Sequence, residues 1–169
     1  FGKILSFANT PAVEKAELVL EVRRETFGLA FRPKFEVNGY FYVTYVEEAS
    51  RLRAGEKGSR LSRFQMKRDG SLQADPNSEK LVFTWPHGGH NGGGLVFGPD
   101  GYLYLATGDG SGIADELETG QRLNDVLGAI LRIDVENPRD GLAYGVPQDN
   151  PFVNVKEARG EIWAYGLRQ

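Results

Sequence analysis

Both histidines of this 169-residue chain fall in one nine-residue segment, Pro86-His-Gly-Gly-His-Asn-Gly-Gly-Gly94. Five of those nine residues are glycine, which strips side chains from the segment and lets a ligand approach its backbone. Two imidazoles three residues apart first bring a metal to mind. The segment reads as loop rather than helix, however, and the chain has no Cys to complete a zinc set. A purely structural histidine pair is a second reading. A third is chemical and centres on Asp109, in Thr107-Gly-Asp-Gly-Ser-Gly112. A carboxylate beside one imidazole nitrogen fixes the tautomer and raises the basicity of the ring. His90 with Asp109 would then suit removal of a proton from a substrate hydroxyl. The same Asp109 is equally compatible with a turn residue or a loop calcium ligand.

The elements that would bring His90 and Asp109 together are two strands joined at Asp100-Gly101. Asp-Gly favours a two-residue type I′ hairpin turn. That turn predicts Pro99 opposite Tyr102 and Gly92 opposite Asp109, with His90 two residues further along the same face. Diagonal neighbours of this kind lie ~7–8 Å apart or less, within reach of long side chains.

This hairpin is one copy of a repeat. Gly28-Leu-Ala-Phe-Arg-Pro33 followed by Asn38-Gly-Tyr-Phe-Tyr-Val-Thr44 matches Gly94-Leu-Val-Phe-Gly-Pro99 followed by Asp100-Gly-Tyr-Leu-Tyr-Leu-Ala-Thr107. A second set of related segments lies between the copies: Lys3–Phe7, Arg60–Phe64 and Ala129–Ile133. In the last of these, Ala129, Leu131, Ile133 and Val135 alternate with Arg132 and Asp134, the period of a strand. Glu17–Val22 and Leu81–Trp85 supply a following strand, the latter after Asp69-Gly70. One full repeat therefore holds strands near 28–31, 40–46, 60–67 and 80–85.

Repeating four-stranded antiparallel units are the signature of propeller blades. The expected fold class is all-β, a partial β-propeller of about two to three four-stranded blades; a β-sandwich is the competing architecture. The blades are expected as a remnant of one at 1–22, a second at about 27–85 and a third at about 92–165. A further blade would start at the C-terminus. So few blades cannot close a ring, so the chain is expected to be a fragment. A short helix is expected within Asp115–Val126.

The repeat makes a second functional inference. Aligning Trp163 with Trp85 sets Arg168 against His90, and aligning Gly94 with Gly28 sets Arg24 against His90. Equivalent strand starts in a propeller ring the same end of the central tunnel. Arg24, His90 and Arg168 are therefore expected around one pocket, whose guanidiniums suit an anionic ligand.

Composition limits the remaining classes. The net charge of −3 and the lack of a Lys/Arg cluster interleaved with aromatics argue against a nucleic-acid groove. No apolar run approaches the roughly 20 residues that a membrane span requires. The 22 glycines beside 10 Phe and 7 Tyr fit many short strands joined by tight turns.

In their order and spacing, these motifs resemble the soluble PQQ-dependent glucose, aldose and sorbosone dehydrogenase family. The resemblance rests on Gly28–Phe35, His90-Asn-Gly-Gly93, Phe97–Tyr104, Gly108-Asp-Gly110, Leu127–Asp134, Tyr144–Pro147, Asp149–Phe152 and Glu161–Arg168. It implies a six-bladed propeller that oxidises the C1 hydroxyl of aldose-type sugars. His90 would be the general base, Asp109 would orient it, and hydride would pass to PQQ. Arg168, Gln169, Asn91 and Arg24 would contact the cofactor, with Arg168 at the quinone oxygen or the reacting substrate. Calcium ligands and further Lys/Arg cofactor contacts are expected outside this segment, so the segment alone is expected to be inactive. The resemblance also implies an external electron acceptor and a periplasmic or secreted location. This chain departs from the family pattern at Gln169, where Asn is usual, at Arg32 before Pro33, where His is common, and at Arg23-Arg24-Glu25. A non-catalytic propeller like the Hedgehog-interacting proteins, binding a protein or carbohydrate, is the alternative. A lactonase-like metal propeller fits less well, because acidic and Asn ligands do not recur at successive blade starts.

Overall fold

A computed structural model describes residues 2–139 and 141–168. Among the described residues, ten strands form three antiparallel sheets. β1 (Lys3–Ser6) pairs with β2 (Glu17–Glu21). β3 (Glu25–Phe31), β4 (Tyr40–Val46), β5 (Ser59–Met66) and β6 (Ala74–Trp85) form a four-stranded meander. β7 (Gly92–Phe97), β8 (Leu103–Thr107), β9 (Ala129–Ile133) and β10 (Ile162–Tyr165) form a second. Sequential four-stranded meanders packed face to face are propeller blades, and among the described residues the sheets do not close into a ring.

Alternation along the strands builds the cores. Ala129, Leu131 and Ile133 on β9 are fully buried and join Leu103, Leu105 and Ile162 from their own sheet. From the neighbouring blade, Tyr42, Leu61, Phe83 and Trp85 complete this inter-blade core. A second core joins β1–β2 to the other face of β3–β6 through Leu20, Val22, Phe41, Val43, Tyr45 and Phe64. The inward faces of adjacent sheets thus cover one another.

The two hairpins of the repeat turn differently. At Asp100 the loop holds three residues: Gly98 N–H donates to Tyr102 O, and Gly101 N–H donates to Gly98 O. Gly101 takes a left-handed φ of 82°, the geometry of a type I turn closed by a bulge. Phe97 therefore faces Leu103, and the expected two-residue turn with its register is corrected by one position. In the first copy, a one-turn helix α1 (Phe35–Asn38) fills the connection. The helix expected within Asp115–Val126 is reduced to a 3₁₀ turn at Thr119–Gln121. Asp115 explains this: its carboxylate accepts the Thr119 and Gly120 N–H groups, which a continuing helix would bond to backbone carbonyls.

Arg132 is the other departure. Alternation set it opposite the core side chains, yet it is only 4% exposed. Its guanidinium binds Asp100, Asp149 and Asn150 and lies over the Tyr102 and Trp163 rings. It ties the β7–β8 turn and the Asp149-Asn150 loop to β9.

Candidate functional site

The Gly-rich loop joins β6 to β7, and its shape follows from what it presses on. A Cβ on Gly88 would lie 1.9 Å from Gly110 O, so only glycine permits this approach. Gly89 N–H donates to Gly110 O, and Gly110 N–H returns a bond to His90 O. The loop thus lies along the segment that follows β8. Asn91 holds it from within: its side-chain oxygen accepts the Gly88 N–H, and its carbonyl accepts the Trp85 indole N–H at 2.9 Å. A bulge between Gly92 and Gly94 then starts β7. Thr44 of the preceding blade fastens it by donating to Gly93 O at 2.6 Å.

This packing sets His90 Nδ1 2.8 Å from Asp109 Oδ1. Asp109 is fully buried. Burial works against its ionisation, but hydrogen bonds from His90 and from the Ser111 N–H outweigh that, and its pKa lies below the usual 3.8. An ionised carboxylate only accepts, so Nδ1 carries the proton in this contact, and in the neutral ring the lone pair then lies on Nε2. Asp109 Oδ2 and Ser111 Oγ are buried without a hydrogen-bond partner.

Arg168 reaches the same place from the segment after β10. Its Nε lies 3.5 Å from His90 Nδ1, and its Nη2 lies 3.4 Å from His90 Nε2. These separations set the edge of the guanidinium, through Nε and Nη2, against the imidazole ring. Arg168 Nε is also 3.7 Å from Asp109 Oδ2, and its side chain is 52% exposed. The cluster therefore contains an oriented imidazole, its buried carboxylate and an accessible cation.

The remaining expected residues lie elsewhere. Arg24 donates to Glu47 at 3.0 Å, approaches Glu79 at 3.5 Å and covers the Tyr45 ring. Burial opposes its charge, but Tyr45 and the two carboxylates outweigh it and raise its pKa. No described contact joins Arg24 to His90. The repeat explains this: Arg24 and Glu47 occupy the positions in their blade that His90 and Asp109 occupy in the next. The buried pair is retained, with guanidinium in place of imidazole. His87 is exposed and packs on Gly58. No group of three or more His, Cys, Asp or Glu is arranged to hold a metal among the described residues. Gln169 lies outside them.

Comparison with known proteins decides the family. The family model "Glucose / Sorbosone dehydrogenase" matches residues 8–169. The chain belongs to this family. It is 33% identical over 148 residues to the human Hedgehog-interacting protein, covering 85% of this chain and 21% of that protein. Its fold matches a putative oxidoreductase (glucose dehydrogenase) of Thermus thermophilus at a TM-score of 0.69 and 27% identity, covering 99% of this chain and 46% of that one. It also matches the PQQ-bound aldose sugar dehydrogenase of Streptomyces coelicolor at a TM-score of 0.55 and 23% identity, over 77% of this chain and 40% of that one. The chain thus spans less than half of each of these relatives. Among the described residues, no helix is long and apolar enough to cross a membrane.

Proposed function

We propose that this glucose/sorbosone dehydrogenase family member is the base-bearing part of a PQQ-dependent dehydrogenase that oxidises the C1 hydroxyl of aldose-type sugars. The observation that carries the reading is the His90–Asp109 pair with the Arg168 guanidinium beside it. The donor set fits an anionic quinone: the Arg168 guanidinium is half exposed and lies beside His90 Nε2. When bound, PQQ supplies the two-electron acceptor for the sugar C1 hydride.

The chain's own residues perform the proton chemistry. His90 Nε2 accepts the C1 hydroxyl proton. Asp109 keeps the other nitrogen protonated and stabilises the imidazolium that forms. Arg168 offers positive charge where negative charge develops. Asn91 holds the loop that carries the base. Arg24 acts one step removed, bracing its blade through Glu47, and Gln169, next to Arg168 in the sequence, belongs to the proposal as a further cofactor contact by family resemblance alone. Calcium, the external electron acceptor and a periplasmic or secreted location belong to the same proposal, with calcium ligands outside this segment.

The test is turnover by the intact protein. Reconstituted with PQQ and calcium, it should reduce a dye at the expense of at least one aldose in a broad panel. Absence of turnover across that panel, under conditions where PQQ binds, would defeat the reading. A second reading is supported by the 33% identity to the Hedgehog-interacting protein over most of the chain: a non-catalytic propeller that binds a protein or carbohydrate. A binding module has no use for an oriented base, so substituting His90 would leave its binding unchanged.

A further inference from the structure

Asp109 is held by more than His90. Its carboxylate is fully buried, and one of its two oxygens has no hydrogen-bond partner. Such a group gains hydration if its backbone shifts and lets it turn toward solvent. Something must therefore oppose that shift. The next nine residues contain three non-glycine residues in the left-handed region, Ala114 at φ 53°, Asp115 at φ 45° and Glu118 at φ 52°. Each is a strained conformation for a residue with a Cβ, so the loop does not hold its course unaided.

Thr119 closes this loop. It is only 4% exposed, and its hydroxyl donates to the Asp109 carbonyl at 2.6 Å. Asp115 in turn fixes Thr119, accepting its N–H at 2.9 Å and lying 3.2 Å from its hydroxyl. The opposite side of Asp109 is fixed by β8, where Thr107 Oγ donates to Val126 O. The backbone around Asp109 is thus held on both sides: by β8 before it, and after it by the bonds of Gly110 to the Gly-rich loop and by the Thr119 hydroxyl, which is the side-chain donor to the Asp109 carbonyl itself.

We propose that Thr119, itself held by Asp115, is a positioning residue that keeps the Asp109 carboxylate against His90. The inference rests on the proposed role of His90 only for its kinetic consequence. The geometric part concerns the His90–Asp109 contact alone. Thr119→Val removes the hydroxyl at nearly constant shape, and Thr119→Ser restores it.

The experiment uses the intact protein and reads the ring-nitrogen and Nδ1 proton resonances of His90 by NMR, with Asp109→Asn as the reference for a lost contact. Thr119→Val should lose the carboxylate-bonded Nδ1 proton signal, as the reference does, while Thr119→Ser keeps it. In the PQQ-loaded protein, Thr119→Val should also lower kcat roughly tenfold with KM little changed, the lower range for a residue that orients a site group. Asp115→Ala provides a second route and should weaken the same signal if Thr119→Val does not fold. A folded Thr119→Val, or failing that a folded Asp115→Ala, with an unaltered His90 signal overturns the proposal. A hydroxyl-dependent signal in a protein without sugar turnover upholds the clamp while removing the catalytic reading.

Discussion

His90 and Asp109 stand 2.8 Å apart although they belong to different segments, one preceding β7 and the other following β8. Their meeting is a consequence of one hairpin, one bulge and a loop of glycines laid against Gly110. The carboxylate is the buried member and the imidazole the accessible one. That asymmetry is what a base with a fixed tautomer requires.

Asp109→Asn should therefore impair proton removal without emptying the site. An amide can donate to Nδ1, which would move the ring proton to Nε2 and block the base. We expect a loss of roughly 10–100-fold in kcat, with binding of the anionic cofactor retained. Steady-state kinetics alongside direct titration of PQQ checks this; a normal kcat would show that Asp109 does not set the tautomer.

Arg168 should act through its charge and its planar shape. Its side chain is half exposed, so substitution should leave the fold intact. Arg168→Ala should weaken PQQ binding by roughly 10–100-fold, the worth of a charge-assisted hydrogen bond. Arg168→Lys should recover only part of the loss, because an ammonium cannot bind with two parallel N–H groups. Equal affinities for the two variants and the wild type would assign the cation no role in binding.

Two glycines of this region should respond oppositely to alanine. A Cβ at Gly88 meets Gly110 O at 1.9 Å, whereas a Cβ at Gly112 meets nothing within 4 Å. Gly88→Ala should cost roughly 1–3 kcal/mol and displace His90 from Asp109. Gly112→Ala should change neither stability nor turnover. Thermal unfolding and initial rates on both variants distinguish a fitted loop from a merely flexible one.

Acid should destabilise the protein through carboxylates far from the base as well as through Asp109. Burial favours the protonated form of Glu161, but hydrogen bonds from Arg159 and Tyr144 outweigh it and hold its pKa below 4.5. A group whose pKa is depressed in the folded state contributes fully above its unfolded value and loses that contribution as pH falls through the folded one. The unfolding temperature should accordingly drop as pH is lowered below about 4.5. Glu161→Gln should flatten that decline and cost roughly 1–3 kcal/mol at neutral pH, since Arg159 and Tyr144 lose a charged partner. An unchanged acid limb in this variant would contradict the assignment.

The repeat and most of its strands were legible in the sequence because alternation and Gly-Tyr turns carry a regular signal. Tyr40–Val46 and Ala129–Ile133 are such cases. The proximity of His90 and Asp109 was legible too, although by a register one position off. A three-residue loop replaced the two-residue turn, and the bulge at Gly92–Gly94 shifted the ladder again. Neither event has a one-letter signature within a run of glycines. Arg24 was matched to the right position in its blade, but its partner decided its role: Glu47 and Glu79 neutralise it. Arg132 and Thr119 were not legible, since each depends on loops distant in sequence closing onto it.

The most direct test is a single turnover of the PQQ-loaded intact protein with an aldose carrying deuterium at C1, compared with the protiated sugar. The account predicts cofactor reduction that slows on deuteration and that falls by roughly 10²–10⁴ in His90→Ala. Reduction at the wild-type rate in His90→Ala would contradict the assignment of His90 as the base.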